Sequence, residues 1–264
     1  MRGLFAIARK ELSIFFTTTI AYAGLGAYAF LMGLVFVSSL NQYQQRTAIF
    51  LSQQQPQMLE RLNFNDAILT PMFSTGVWMF LFFVPFLTMR LLAEEKNQNT
   101  FELLMTTPIS SWQIVLGKFI ATWVLILVMS FIPLVFPFIL EAYGTTTGTS
   151  SAVEWSPVLV SVLMATLMGS SFIALGMLMS SLTDSQIVAA LLTFATLLLS
   201  YTLPFVANRL EGDWQTVLDY ASPLSHVNRA FQGRLLAEDL VYFLSLTLAG
   251  LIVTQRVVES NRWR

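Results

Sequence analysis

The sequence predicts an all-α protein that crosses a membrane six times, and two observations carry this. Only 11% of the 264 residues are charged, while 55% are hydrophobic; an ordinary soluble domain carries about 25% charged residues to cover its surface. The apolar residues also fall in long uncharged blocks, Ile20–Gln45, Ala67–Met89, Phe119–Leu140, Trp155–Thr183, Ser185–Asn208 and Leu240–Gln255. A spanning helix needs about 20 residues, at about 1.5 Å of rise each across a core of about 30 Å. The first five blocks meet that length. The sixth is shorter and spans if Glu238, Asp239 and Arg256 snorkel towards the headgroups. The competing reading, a soluble domain with an outsized core, does not account for the blocks.

Element by element, residues 1–18 read as an amphipathic helix lying in the membrane interface. Leu4, Phe5, Ala8, Leu12, Phe15 and Phe16 share one face, and Arg2, Arg9, Lys10 and Ser13 the other. The charges at Arg9, Lys10 and Glu11, with no small-residue cleavage site behind them, argue against a cleavable signal peptide. The first span is expected over 20–40, followed by a glutamine-rich solvated loop, Gln42–Gln57. Spans two and three are expected over 68–92 and 112–140, with a short capped helix between them in 94–110. There Asn99 and Glu102 have capping-box spacing, Phe101, Leu104 and Met105 form an apolar face, and Thr107-Pro108 ends the helix. The fourth and fifth spans, 157–182 and 185–207, make a tight hairpin. Residues 209–237 read as one or two short amphipathic helices dipping into the far interface, and 238–256 as the last span.

Helix starts are signalled at Thr70-Pro71, Ser156-Pro157 and Ser222-Pro223, where a hydroxyl precedes a proline suited to the first turn. Ser110 to Gln113 and Thr183 to Gln186 read as capping boxes. Pro85, Pro133 and Pro137 fall inside spans, as hinges or as static kinks. Small residues on the fourth span, Gly169, Ser170, Ser171, Ala174, Gly176 and Ser180, permit close helix approach. Placing the N-terminus inside puts nine of the 14 Lys and Arg residues on the inner side and five outside, which favours both termini in the cytoplasm.

The residue inventory narrows the chemistry. With no cysteine there is no disulfide or thiolate site. No G-x-x-x-x-G-K-[ST] or H-E-x-x-H pattern occurs. The single histidine, His226, reads as an ordinary interfacial residue. A net charge of −1 gives no sign of a nucleic-acid partner. The blocks contain no ionisable residue of the kind that marks ion-coupled transport. A bundle of this kind draws its energy from elsewhere. A self-contained channel or secondary transporter is the alternative; a lipid-processing enzyme would need paired carboxylates or metal ligands.

The segment between spans two and three is the most informative. Glu94-Glu95-Lys96 through Thr100-Phe101-Glu102-Leu103-Leu104, then Thr107-Pro108-Ile109-Ser110 and Val115-Leu116-Gly117-Lys118, resembles the cytoplasmic signature of ABC-2-type permeases. Asn99 stands where that family commonly has glycine and Phe101 where it has leucine; both suit a helix start. Ser222 to His226, Val241 to Thr247 and Arg256 to Ser260 resemble the gliding-motility-type branch. The resemblance implies six spans in a single domain over 1–264, an N-terminal interface helix and short re-entrant helices before the sixth span. It implies a coupling helix holding Glu94, Glu95, Lys96, Thr100, Phe101, Glu102, Leu104 and Met105. It further implies a bacterial inner-membrane subunit that is not itself an enzyme and holds no cofactor. ATP and Mg would be bound by two copies of a cytosolic ATPase on separate chains. The subunit would pair with a second permease copy or a homologue, and would either export a substrate or pull on an extracytoplasmic accessory protein.

Overall fold

The computed structural model describes residues 2–53, 63–98, 100, 109–143 and 153–261. These form helices, with no strand among them. Six helical stretches are long and apolar enough to cross a membrane. The chain is therefore an all-α, multi-pass membrane protein.

Helix α1 (Arg2–Thr17) is followed after one residue by α2 (Thr19–Ser52), the first span. At about 1.5 Å per residue α2 is about 51 Å long and outruns a hydrocarbon layer of about 30 Å. The expected loop from Gln42 is helix as far as Ser52, because Gln, Ala, Arg and Leu are sound helix formers and no Gly or Pro intervenes. The second span opens with a π-helical turn, Asn65–Leu69, and continues as α3 (Thr70–Thr88). Thr70 therefore does not cap a helix; its hydroxyl donates to the Phe231 carbonyl at 3.1 Å. A five-residue helix, α4 (Ala93–Asn97), follows. The third span is α5 (Ser111–Phe131), a 3-10 turn at Ile132–Leu134 and α6 (Val135–Tyr143). Pro133 marks that break, while α3 runs through Pro85 unbroken. The start of α5 carries the reciprocal Ser110–Gln113 capping box.

The fourth and fifth spans are α7 (Trp155–Ser181) and α8 (Gln186–Ala207). Neither start has the expected side-chain cap. Glu154 occupies the cap position of α7 and exchanges hydrogen bonds with the Asn65 amide at 2.8 and 3.1 Å, joining the starts of spans two and four. The Thr183 hydroxyl accepts from the Ser185 N–H at 3.2 Å, so the turn closes one residue ahead of the helix, and Asp184 lies 3.7 Å from Lys96. Two short helices, α9 (Asp213–Tyr220) and α10 (Pro223–Phe231), lead to the sixth span, α11 (Ala237–Asn261). Ser222 caps α10 through the Leu224 N–H. Gly233 turns the chain out of α10 at a φ of 78°, a left-handed conformation in which a side chain is strained.

Helix α7 is the hub, packing against α3, α5, α8, α10 and α11. It holds no charged residue, and its small residues set how close the neighbours come. A Cβ on Gly169 would collide with Ile126 of α5, and one on Gly176 with Thr88 of α3. A Cβ on Gly250 of α11 would lie 3.0 Å from that of Ala174. Met164, Met168, Phe172, Ile173 and Met177 are fully buried between these contacts. Thioether chains suit such irregular gaps. The apolar surface of α8, including Ile187, Leu191 and Leu199, lies outside the bundle, as suits contact with lipid.

Candidate functional site

The segment that resembles a coupling signature enters a cluster of charges at the end of the bundle where α1, α4 and the α7–α8 turn meet. Its framework is backbone satisfaction. Beyond Thr88 the chain turns sharply, burying Leu91, Leu92 and Ala93. The N–H groups of Leu92 and Ala93 would be orphaned at the start of α4. They donate to the Ser180 hydroxyl at 3.2 and 3.1 Å, and that hydroxyl donates to the Met89 carbonyl at 3.3 Å. The fourth span thus caps the helix that follows the second.

Three consecutive residues of α4 then grip three different parts of the protein. Glu94 takes a bidentate fork from Arg90, at 2.7 and 3.0 Å, tying α4 back to the end of α3. Glu95 accepts from Lys118 Nζ of α5 at 2.8 Å. The same ammonium donates to Glu11 of α1, also at 2.8 Å. Lys96 donates to the Ser181 carbonyl at 2.6 Å and lies 3.7 Å from Asp184 in the α7–α8 turn. Thr100 donates to the Glu95 carbonyl at 3.3 Å. A five-residue helix therefore holds the ends of α1, α3, α5, α7 and α8 in one arrangement.

Lys118 is the centre of this cluster. Its side chain is only 2% exposed, against 11% for Glu11 and 16% for Glu95. A buried ammonium is stable only when paired and hydrogen-bonded, and here it has two carboxylates. The preceding residue explains how α1 comes close enough. A Cβ on Gly117 would lie 2.9 Å from Ile7 and 3.1 Å from the Leu4 carbonyl. Gly117 thus admits α1, and Lys118 fastens it.

That contact changes the reading of α1. Its inward face is Ile7, Ala8 and Glu11, all buried, while Phe5 is 70% exposed and Phe16 is also exposed. The helical wheel put both phenylalanines on an apolar face turned to the membrane and Arg9 and Lys10 on the opposite one; it assigned Glu11 to neither. Arg9 and Lys10 do lie outside, but Glu11 turns inward because α5 offers Lys118 there. Phe5 and Phe16 are left for the membrane, as suits an interfacial helix.

Of the residues singled out in the sequence, Glu94, Glu95, Lys96, Thr100 and Glu11 belong to this cluster. Phe101, Glu102, Leu104 and Met105, with Asn99, lie outside the described residues. Sequence reasoning missed Lys118, Ser180 and Ser181 as members. Lys118 did carry a signal, since a lysine two turns into an apolar helix requires a partner; the two serines carried none. Between α1, α4 and α5 lies a cavity of about 450 Å³ whose polar lining includes Lys10, Glu11, Arg90, Glu94, Glu95 and Lys118. Among the described residues no three His, Cys, Asp or Glu side chains come together as metal ligands. What the arrangement does physically is join the chain leaving α4 to five helix ends through short, charge-assisted bonds.

A bundle with six helices long and apolar enough to cross a membrane defines a multi-pass membrane protein. The family model for ABC-2 family transporter proteins matches residues 5–255, and the chain belongs to that family. No curated protein matches it. Membership makes this a transmembrane permease component of an ABC transporter, a class that works with a cytosolic ATPase.

Proposed function

We propose that this chain is the permease subunit through which ATPase subunits on separate chains drive export or mechanical work across the bacterial inner membrane. It contributes no catalytic residue and holds no cofactor. Two ATPase copies bind ATP and Mg beneath it, and a second permease, identical or homologous, completes the assembly, with both termini in the cytoplasm. Within the family we assign it to the gliding-motility-type branch, on Ser222 to His226 and the sixth-span segment. Residues 94–110 act as the coupling segment, with Phe101, Leu104 and Met105 seated in a groove of the ATPase and Glu102 beside them.

The observation that carries this reading is the triple grip of Glu94, Glu95 and Lys96. A displacement applied just beyond Asn97 cannot be absorbed locally. It reaches α3 through Arg90, α5 and α1 through Lys118, and the α7–α8 turn through Ser181 and Asp184. Packed elements joined in this way shift between discrete arrangements rather than deforming continuously. ATP-driven closure of the ATPase pair would thus re-set five helix ends together.

The test is co-purification. Phe101→Asp with Leu104→Asp should abolish ATPase association while the permease still inserts and accumulates. Recovery of the ATPase at wild-type stoichiometry would disprove the coupling assignment.

A further inference from the structure

The polar cavity between α1, α4 and α5 does not end at the charged cluster. Three of the residues that line it, Phe15, Thr18 and Arg90, also line a second cavity of about 470 Å³. This second cavity is apolar. Its walls are Gly24 and Leu25 of α2, Phe83 and Leu87 of α3, and Leu125 and Met129 of α5. Ala23 and Phe86 also line it and are exposed, so it opens at the surface of the bundle. The coupling reading uses neither space.

Helix geometry gives the depth of the joined space. On α5, Met129 lies eleven residues beyond Lys118, or about 16 Å along the axis. On α2, Leu25 lies seven residues beyond Thr18, or about 10 Å. A charged chamber therefore sits at the end of the spans, and an apolar one rises about 10–16 Å from it into the hydrocarbon layer. A small polar solute would leave the apolar part empty, and a hydrocarbon would leave the charges unused. A membrane phospholipid, with a headgroup and acyl chains, divides in the same way as the space.

The charges select the headgroup. Arg90 is committed to Glu94 by two bonds, and Lys118 is shared between Glu11 and Glu95. One carboxylate charge is left over on that side. Lys10 also lines the chamber, is exposed, and pairs with no carboxylate among the described residues. The chamber thus offers one surplus negative charge and one surplus positive charge, and a zwitterion matches both. An anionic headgroup would meet one free cation against three carboxylates. Among zwitterions, a primary ammonium donates hydrogen bonds to carboxylates. A quaternary ammonium has no N–H and is held by aromatic cages, and the chamber has only the Phe15 ring among the described residues.

We propose that the joined cavities hold one resident phospholipid of the ethanolamine type, drawn from the leaflet at the α1–α4 end of the bundle. Its phosphate meets Lys10, its ammonium faces the Glu11 and Glu95 carboxylates, and an acyl chain lies between α2 and α3. The molecule fills the gap between the interface helix α1 and the bundle. It stays with the permease rather than passing through it, because the space lies to one side of the hub helix α7, none of whose residues line it. The site belongs to the permease alone, so it stands or falls independently of ATPase coupling.

Native mass spectrometry of the full-length permease tests this, with phosphatidylethanolamine, phosphatidylcholine and phosphatidylglycerol of identical acyl chains offered in equal amounts. One phosphatidylethanolamine per chain should be retained, with about tenfold preference, the worth of one charge-assisted hydrogen bond. Two variants probe the two ends. Lys10→Gln removes the exposed cation. Gly24→Leu fills the apolar part, since a Cβ at Gly24 meets only Phe83 at 3.9 Å. Each should lower retention about tenfold, and glycerophosphoethanolamine, the headgroup without chains, should not compete. Equal retention of the three lipids would mean annular lipid only and would overturn the proposal. So would a preference for phosphatidylglycerol, competition by the headgroup alone, or wild-type retention by either folded variant. Thermal melting reports folding, and if Gly24→Leu does not fold, Lys10→Gln alone decides.

Discussion

Replacing Lys118 with methionine removes the cation between Glu11 and Glu95 and keeps a side chain of similar length. At 2.8 Å and an effective dielectric of about 20, each contact is worth about 6 kcal/mol of gross attraction. Most of that is offset in the native protein by the desolvation of three ions. The variant keeps the desolvation of two carboxylates and loses the cation that compensated them. Removing one partner of a buried pair typically costs about 3–5 kcal/mol. Replacing all three charges (Glu11→Gln, Glu95→Gln and Lys118→Met) should restore most of the stability at pH 7, because no buried charge remains. Thermal unfolding in nanodiscs at pH 7 measures both effects. A deficit below about 1 kcal/mol for Lys118→Met, or a triple variant no better than the single one, would refute the account of Lys118 as a buried, doubly paired cation.

Gly117→Val places methyl groups where Ile7 and the Leu4 carbonyl already lie. It should displace α1 and cost about 1–3 kcal/mol. Single cysteines at Arg9 and Ala8, introduced into this cysteine-free chain, would report the change: maleimide labelling at position 8 should rise and that at position 9 should stay high. Ser180→Ala leaves the Leu92 and Ala93 N–H groups without their acceptor. The cost should be about 1–3 kcal/mol, with faster amide exchange confined to 89–97. In the assembled transporter the same change should lower substrate-stimulated ATP hydrolysis more than basal hydrolysis, because α4 loses its anchor to the fourth span.

Much of this protein is fixed by its one-dimensional pattern. Uncharged blocks of about 20 residues leave the backbone no choice in lipid but to satisfy itself within helices, so Trp155–Ser181 and Gln186–Ala207 were legible as spans. Local caps were legible where donor and acceptor are neighbours, as at Ser110 and Gln113 or Ser222 and Leu224. The reading failed where a side chain had two candidate partners and the nearer one lost. Thr70 bonds to the Phe231 carbonyl, because a tertiary contact outbids the local cap. Glu11 shows the same rule on a larger scale. Periodicity assigned it to neither face of α1, and only the arrival of α5, admitted by Gly117, supplied the ammonium that turned it inward. Asp239 was expected to snorkel and His226 to lie at the interface, yet they are buried in contact across 13 residues, and nothing in either neighbourhood announces the other. Sequence determines which segments must be helical and membrane-embedded, since that depends on transfer free energy summed along the chain. Which charges meet depends on helix-to-helix distance and rotation, set here by Gly117, Gly169 and Gly176. Only the packed bundle decides them.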